Sequence, residues 1–217
     1  LALLYWAGEE LNDPRFRFIA MEHADTCMKY IVREDGSCNH MADFNPETGE
    51  FLNSPGGQGY SAGSSWSRGQ AWALYGFTIS YLHTGEQRYL NTAKKIANYF
   101  LANVKLSDYI PLVDFRMPKE PVKYDTTAGM IAVCGLLELS AAVGEYEKTL
   151  YQDGAMEILR AEIDRCADWN PDTDGILQLG SAEYHKKPEE AHVPIIYGDY
   201  YMIEAIQKLR GSQFMPW

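Results

Sequence analysis

The chain has 217 residues, 46% of them hydrophobic and 13% aromatic, which is enough to bury a sizeable core in a single domain. Its formal net charge of -11 disfavours nucleic acid as a partner, because phosphate binding requires a basic surface. Apolar runs stay well short of the roughly 20 residues that cross a bilayer, so no membrane span is expected. The sequence opens at Leu1 within an amphipathic run, without an initiator methionine or a signal peptide, and we expect the natural start to be absent.

Long amphipathic helices separated by short links dominate the pattern. Asp13-Pro14 is a helix cap followed by a first-turn proline, and apolar residues recur at helical spacing from there to Val32. With a short helix at the start of the chain, the pattern predicts seven helices. The other five are expected at about Trp66–His83, Arg88–Val104, Thr126–Val143, Tyr146–Ala167 and Asp199–Leu209.

Short extended segments interrupt these helices. His40–Phe44 and Glu50–Leu52 flank a turn at Asn45–Gly49 and predict a β-hairpin, and Gly175–Gly180 is typical of a further short strand. The loop Asn53–Ser65 is long for a compact domain, and such loops are often functional or disordered. A weak repeat of helix pairs suggests a ring or stack. The sequence therefore predicts an all-α domain with short β-hairpins in its loops.

A cluster of costly side chains stands at the start of the third helix, in the stretch SSWSRGQAW, residues 64–72. Trp66 and Arg68 lie at the helix mouth, and an arginine there requires a compensating anion because the helix dipole is positive at that end. Arginine binds carboxylates through its planar fork, and tryptophan rings offer flat platforms for sugars. Core packing explains the tryptophans equally well at this point. The stretch is compatible with either a core segment or a site for a carboxylated sugar.

Histidines and cysteines give little support for a metal or cofactor. His40 begins the hairpin in a polar context, without a second histidine at metal-ligand spacing. His185 and His192 lie in a charged loop that is expected to be solvated. The four cysteines lack the paired spacing of zinc or redox sites and are expected to be buried or free thiols. We predict no metal and no cofactor.

Four aspartates beside aromatic or turn residues are candidate acids: Asp43, Asp114, Asp125 and Asp199. Asp125 and Asp199 stand at predicted helix starts and are most simply N-caps. The residues alone do not identify an acid and base pair.

Four segments in order resemble the unsaturated glucuronyl hydrolases of glycoside hydrolase family 88. In chain order they are DFNPETGE (43–50), SSWSRGQAWALYGF (64–77), DTTAGMIAVCGLLELS (125–140) and IYGDYYMIEAI (196–206). The resemblance runs from Leu1 to about Leu209. The related unsaturated rhamnogalacturonyl hydrolases of family 105 tend to carry an asparagine-glycine pair where this chain has Gln70-Ala71. That difference favours the glucuronyl group.

The resemblance implies an (α/α)6 barrel, a ring of six helical hairpins with its site at one mouth. It implies a bacterial hydrolase, cytoplasmic or periplasmic, that removes a 4,5-unsaturated glucuronic acid from the non-reducing end of lyase-generated glycosaminoglycan-type oligosaccharides. An aspartate of the family protonates C4 and delivers water to C5, unlike the two-carboxylate hydrolysis of an ordinary glycosidic bond. The implied partner is an unsaturated uronic-acid oligosaccharide.

The resemblance also implies site residues. The substrate-binding set carried over is His40, Gln58, Trp66, Arg68, Trp72 and Tyr184. His40 and Gln58 would hydrogen-bond the uronate near its double bond, the two tryptophans would stack on sugar, Arg68 would meet polar or anionic groups, and Tyr184 would reach in from a loop.

The family's catalytic aspartate lies just before the segment that matches LALLYWA, so the catalytic residue within residues 1–217 is unknown. We expect a single domain that is the C-terminal portion of the catalytic domain, with the N-terminal helices absent. The ending SQFMPW lacks the serine and lysine contacts of some members. A family 105 activity, or a non-catalytic sugar-binding fragment, remains the alternative.

Overall fold

The computed structural model describes residues 1–187 and 190–212. These residues form seven α-helices, which are α1 Ala2–Glu10, α2 Pro14–Tyr30, α3 Ser67–Thr84, α4 Gln87–Val104, α5 Thr126–Ala142, α6 Glu145–Cys166 and α7 Ile196–Leu209. A 3-10 turn at Lys105–Ser107 follows α4, and the strands β1 Asp43–Phe44 and β2 Phe51–Asn53 pair as an antiparallel hairpin. The predicted all-α class, the helices and the hairpin are confirmed. The prediction about the ending SQFMPW concerns residues 212–217, of which 213–217 lie outside the described residues.

Local sequence explains where the helices begin and end. The Asp13 carboxylate accepts a hydrogen bond from the backbone N–H of Arg15, and Pro14 occupies the first helical position of α2. The third helix ends at Thr84 and is followed by the C-cap residue Gly85, whose φ of +73° is readily adopted by glycine. In α4 the buried residues recur on one face, from Tyr89 and Ala93 to Ile96 and Phe100.

The centre of the fold is α5, which packs against α3, α6 and α7. Most of its residues are buried, as expected for a helix that packs against neighbours on several sides. A Cβ at Gly135 would lie 3.1 Å from the Cα of Tyr75, so this glycine lets α3 and α5 approach closely. At the edges of the fold, α1 packs on α2 and α3. Among the described residues, no helix is both long and apolar enough to cross a membrane.

Two predictions near the C-terminal end are wrong. The segment Gly175–Gly180 is not a strand but makes isolated bridges, and α7 begins at Ile196 rather than at Asp199. Both differences have the same physical cause. The Asp199 carboxylate accepts hydrogen bonds from the backbone N–H groups of Ile176 (3.0 Å) and Leu177 (2.7 Å). Asp199 is therefore not an N-cap. It ties the first turn of α7 to the preceding loop.

Candidate functional site

A groove of about 670 Å³ lies between α2, α3 and the segment that enters the hairpin. Its lining is mainly apolar and aromatic, with polar groups from His23, Asn39, His40 and Asp43. Three of the six predicted site residues, His40, Trp66 and Trp72, line this groove together. Gln58, Arg68 and Tyr184 are not among the lining side chains.

The two tryptophans of the groove differ in exposure. Trp72 is 36% exposed, and its ring makes edge-on contacts with Tyr197 and Tyr201. Trp66 is 6% exposed, and its buried indole N–H has no hydrogen-bond partner among the described residues. The His40 ring contacts Trp66 edge-on at 4.5 Å between ring centroids. Trp72 is therefore suited to stacking, whereas Trp66 is part of the groove floor.

Arg68 is buried, and its compensating anion belongs to the chain itself. The guanidinium donates a hydrogen bond to the Asp125 carboxylate through Nε (3.0 Å) and forms an ion pair with it, with Nη2 at 2.9 Å, while Nη2 donates to the Ser181 carbonyl. Arg68 is 4% exposed and Asp125 is fully buried. The guanidinium carbon lies 5.1 Å from the centre of the Trp66 ring. The anion expected at this helix start is thus Asp125, and contact of Arg68 with a substrate stays a prediction.

The prediction that the Asp125 side chain caps α5 is wrong. Asp125 precedes the helix, but its carboxylate makes no capping hydrogen bond to the helix backbone. It accepts instead from Arg68, from the Thr127 hydroxyl and from the Ser181 backbone N–H at 3.3 Å. Burial raises the pKa of Asp125, and the Arg68 guanidinium opposes that rise. Asp125 joins the starts of α3 and α5 to the loop at Ser181.

The long loop before α3 is ordered around a second buried aspartate. The Asp114 carboxylate accepts from the backbone N–H groups of Tyr60 and Ser65, both at 3.0 Å, and from the Ser64 hydroxyl at 2.6 Å. Asp114 is fully buried. Its side chain thereby fixes the loop that approaches Trp66 from the N-terminal side. Sequence reasoning placed Asp114 only among candidate acids, because its partners lie about 50 residues away.

Gln58 and Tyr184 belong to one loop junction beside the groove. The Gln58 amide donates to the Ala182 carbonyl at 2.7 Å, and the Tyr184 backbone N–H donates to the Gln58 carbonyl at 2.9 Å. Lys123 donates to the Tyr184 carbonyl at 2.6 Å and lies over the tyrosine ring. These side chains connect the two loops, and a direct role in binding stays a prediction for both residues.

The loop histidines are not equally solvated. His185 is exposed, as expected, whereas His192 is half-buried and its Nε2 accepts the backbone N–H of Tyr124 at 2.9 Å. The expectation of a solvated His192 is therefore wrong, because its ring packs against the Tyr124 ring and accepts a hydrogen bond from the backbone. All four cysteines are free. Residues 1–187 and 190–212 contain no group of three His, Cys, Asp or Glu side chains that could hold a metal ion.

A buried acid behind the site escaped the sequence reasoning. Glu162 of α6 is fully buried, and neither carboxyl oxygen has a hydrogen-bond partner among the described residues. A Cβ at Gly129 would lie 1.7 Å from Glu162 Oε1, so this glycine of α5 provides the space for the carboxyl group. Burial, and secondly the charge of Asp125, raise the pKa of Glu162 well above its usual range.

Comparison with known proteins gives a consistent result. No protein-family model matches the chain. Its fold superposes with a TM-score of 0.90 on the crystal structure of the unsaturated glucuronyl hydrolase from Bacillus sp. GL1, covering 97% of this chain and 57% of that one at 37% identity. A Streptococcus agalactiae unsaturated glucuronyl hydrolase in complex with dGlcA-GalNAc6S gives a TM-score of 0.86 at 30% identity, covering 100% of this chain and 58% of that one.

Sequence relatives carry the same names. The alignment with the unsaturated glucuronyl hydrolase of Bacillus sp. strain GL1 is 37% identical over 225 residues and covers 100% of this chain and 58% of that protein. The unsaturated chondroitin disaccharide hydrolase of Streptococcus pyogenes is 32% identical over 225 residues, covering 95% of this chain and 52% of that protein. The chain thus resembles glycosidic enzymes of bacteria. It is related to the unsaturated glucuronyl hydrolases over its whole length, which confirms the family predicted from the sequence, and it spans just over half the length of these relatives.

Proposed function

We propose that the complete protein containing this chain removes a 4,5-unsaturated glucuronic acid from the non-reducing end of lyase-generated glycosaminoglycan-type oligosaccharides. The observation that carries the proposal is the groove in which the partly exposed Trp72 lies with His40 and Trp66, in a chain related throughout to unsaturated glucuronyl hydrolases. The exposed indole offers a stacking surface for a sugar ring. His40, which lines the groove, offers a hydrogen bond to the oxygens of that sugar.

The proposed chemistry is hydration of an enol ether. An acid adds a proton to C4, the oxygen of a water molecule bonds to C5 while the water returns a proton to that acid's conjugate base, and the resulting hemiketal opens and releases the aglycone. The acid that supplies the proton is expected from the family resemblance to be an aspartate that precedes Leu1. Residues of this chain would bind and orient the sugar, and their placement converts a slow encounter into a positioned reaction.

We also propose that the chain is part of an (α/α)6 barrel. In this arrangement α1, α3, α5 and α7 form the inner layer, and α2, α4 and α6 the outer layer. The apolar side chains left exposed at both edges support this, for example Leu3 (71%) and Trp6 (50%) on α1 and Ile203 (51%) on α7. The remaining helices of the ring would cover these surfaces.

The test is to treat the complete protein with unsaturated chondroitin- and heparin-type disaccharides and to follow the ultraviolet absorbance of the conjugated double bond. We expect the absorbance to decay, and Trp72→Ala to slow the decay by about 3- to 10-fold because one stacking surface is lost. Trp169 is 64% exposed and does not line the groove, so Trp169→Ala is the matched control.

The alternatives give different outcomes. Faster turnover of an unsaturated rhamnogalacturonyl disaccharide would favour the family 105 activity. Binding of the disaccharides without any loss of the double bond would favour a non-catalytic sugar-binding protein. Equal slowing by the two tryptophan variants would remove Trp72 from the binding site.

A further inference from the structure

Gly57, in the long loop, leaves the space that the His40 ring occupies. A Cβ at Gly57 would lie 1.7 Å from His40 Nδ1 and 2.4 Å from Cε1, so any side chain at this position would overlap the imidazole. Gly57 has a φ of +56°, a conformation that side-chain-bearing residues rarely adopt. The loop backbone and the histidine ring are therefore in direct contact.

The next residue of the loop fixes the chemistry of that ring. The backbone N–H of Gln58 donates a hydrogen bond to His40 Nδ1, with 3.2 Å between the two nitrogens. A backbone amide can only donate, so Nδ1 must accept, and a ring nitrogen accepts only when it carries no proton. The other nitrogen of a neutral imidazole is then the protonated one.

From this contact we propose that Gly57 and Gln58 are positioning residues that hold His40 in its neutral form with the proton on Nε2. His40 then donates a hydrogen bond from Nε2 to an oxygen of the bound sugar and does not act as a base. This inference rests on the proposed function and deepens it, because it gives one site residue a defined role. The ligand chemistry it requires is an acceptor, such as a hydroxyl or carboxylate oxygen of the uronate.

Three further observations support this arrangement. His40 lines the groove and its side chain is only half-buried, so the ring can be reached from the groove. The edge-on contact with Trp66, at 4.5 Å, fixes the ring plane. Burial lowers the pKa of His40 and outweighs a side-chain hydrogen bond with Gln58 that raises it, so the ring is neutral over a wider pH range.

The direct test is nitrogen NMR of the complete protein with ¹⁵N-labelled histidine, with the His40 signals assigned by their loss in His40→Gln. We expect the proton of neutral His40 on Nε2. A proton found on Nδ1 would overturn the proposal. This spectrum does not depend on activity: if the disaccharides are not cleaved while the proton is on Nε2, the proposed function fails and the tautomer assignment stands.

Two glycine variants test the positioning role. In Gly57→Ala the new methyl group displaces the imidazole, and we expect kcat/KM to fall about 100-fold, mainly through kcat, together with a changed His40 spectrum. Gly63 belongs to the same loop and has a φ of +76°, but a Cβ there would meet nothing within 4 Å. Gly63→Ala therefore carries the same backbone strain without touching His40, and its kcat/KM should stay within about 3-fold of the wild type.

Comparing the two glycine variants distinguishes loop strain from displacement of the His40 ring. Equal losses in the two glycine variants would mean that loop strain alone causes the effect and would overturn the positioning role. His40→Gln carries an amide that reaches the region of Nε2, whereas the shorter amide of His40→Asn reaches only that of Nδ1. We expect the glutamine variant to retain about 10-fold more activity than the asparagine variant, since it preserves the donor. The reverse order would contradict a donor at Nε2.

Discussion

Replacing Asp125 by asparagine removes the charge that balances the buried Arg68 while leaving the shape of the side chain almost unchanged. Arg68 is 4% exposed and Asp125 is fully buried, so water cannot replace the lost partner. The carboxylate accepts hydrogen bonds from Nε of Arg68 at 3.0 Å and from Thr127 and Ser181, and it lies 2.9 Å from Nη2 in the ion pair. Breaking one side of a buried pair costs about 3–5 kcal/mol, because an uncompensated charge remains in the core.

The assay is urea unfolding of the complete protein, with the free energy of unfolding taken from the linear dependence on denaturant. The matched control is Asp25→Asn, since Asp25 pairs with Arg88 at 3.0 Å but both side chains are nearly 40% exposed. An exposed pair contributes at most about 1 kcal/mol. A loss below about 1 kcal/mol for Asp125→Asn, or equal losses in the two variants, would refute the view that this pair holds α3, α5 and the Ser181 loop together.

Two further substitutions test other carboxyl groups, the buried Glu162 and the half-buried Asp199. Because burial raises the pKa of Glu162, the folded protein keeps a proton that the unfolded chain releases, so stability falls by about 1.4 kcal/mol per pH unit between the two pKa values. Glu162→Gln lacks this proton, so its stability relative to the wild type should rise as the pH increases above about 4.5 in thermal unfolding, and parallel curves would contradict a protonated Glu162. Asp199→Ala should cost about 2–3 kcal/mol in urea unfolding, because the N–H groups of Ile176 and Leu177 lose a charged acceptor, and an unchanged midpoint would contradict this.

Most of the fold can be predicted from the sequence because helix signals are local. The cap at Asp13-Pro14 and the apolar spacing of α4 arise within a few residues, and the predicted bounds agree with the structure to within a few residues. The segment Gly175–Gly180 has the alternation of a strand but lacks a neighbouring strand to pair with. The backbone N–H groups of Ile176 and Leu177 donate to Asp199 instead, and this long-range partner has no local signal.

The candidate site could be predicted only in part, for the same reason. Residue types at SSWSRGQAW, together with the family resemblance, were sufficient to select the tryptophans of the groove. The partner of Arg68 lies 57 residues further along the chain, so an aspartate before a helix was read as a cap. The position of the His40 ring depends on Gly57, 17 positions away, which the sequence shows only as part of a long loop. Charge balance in a core depends on packing that spacing does not encode.

The order of two events during turnover tests the proposed function most directly. In a rapid-quench experiment on the complete protein with an unsaturated chondroitin disaccharide, the loss of the double bond and the release of the aglycone are measured in the same samples. Hydration at C4 and C5 predicts that the double bond disappears before the aglycone is released, or together with it. Release of the aglycone ahead of the loss of the double bond would contradict the account, because it would indicate ordinary cleavage of the glycosidic bond.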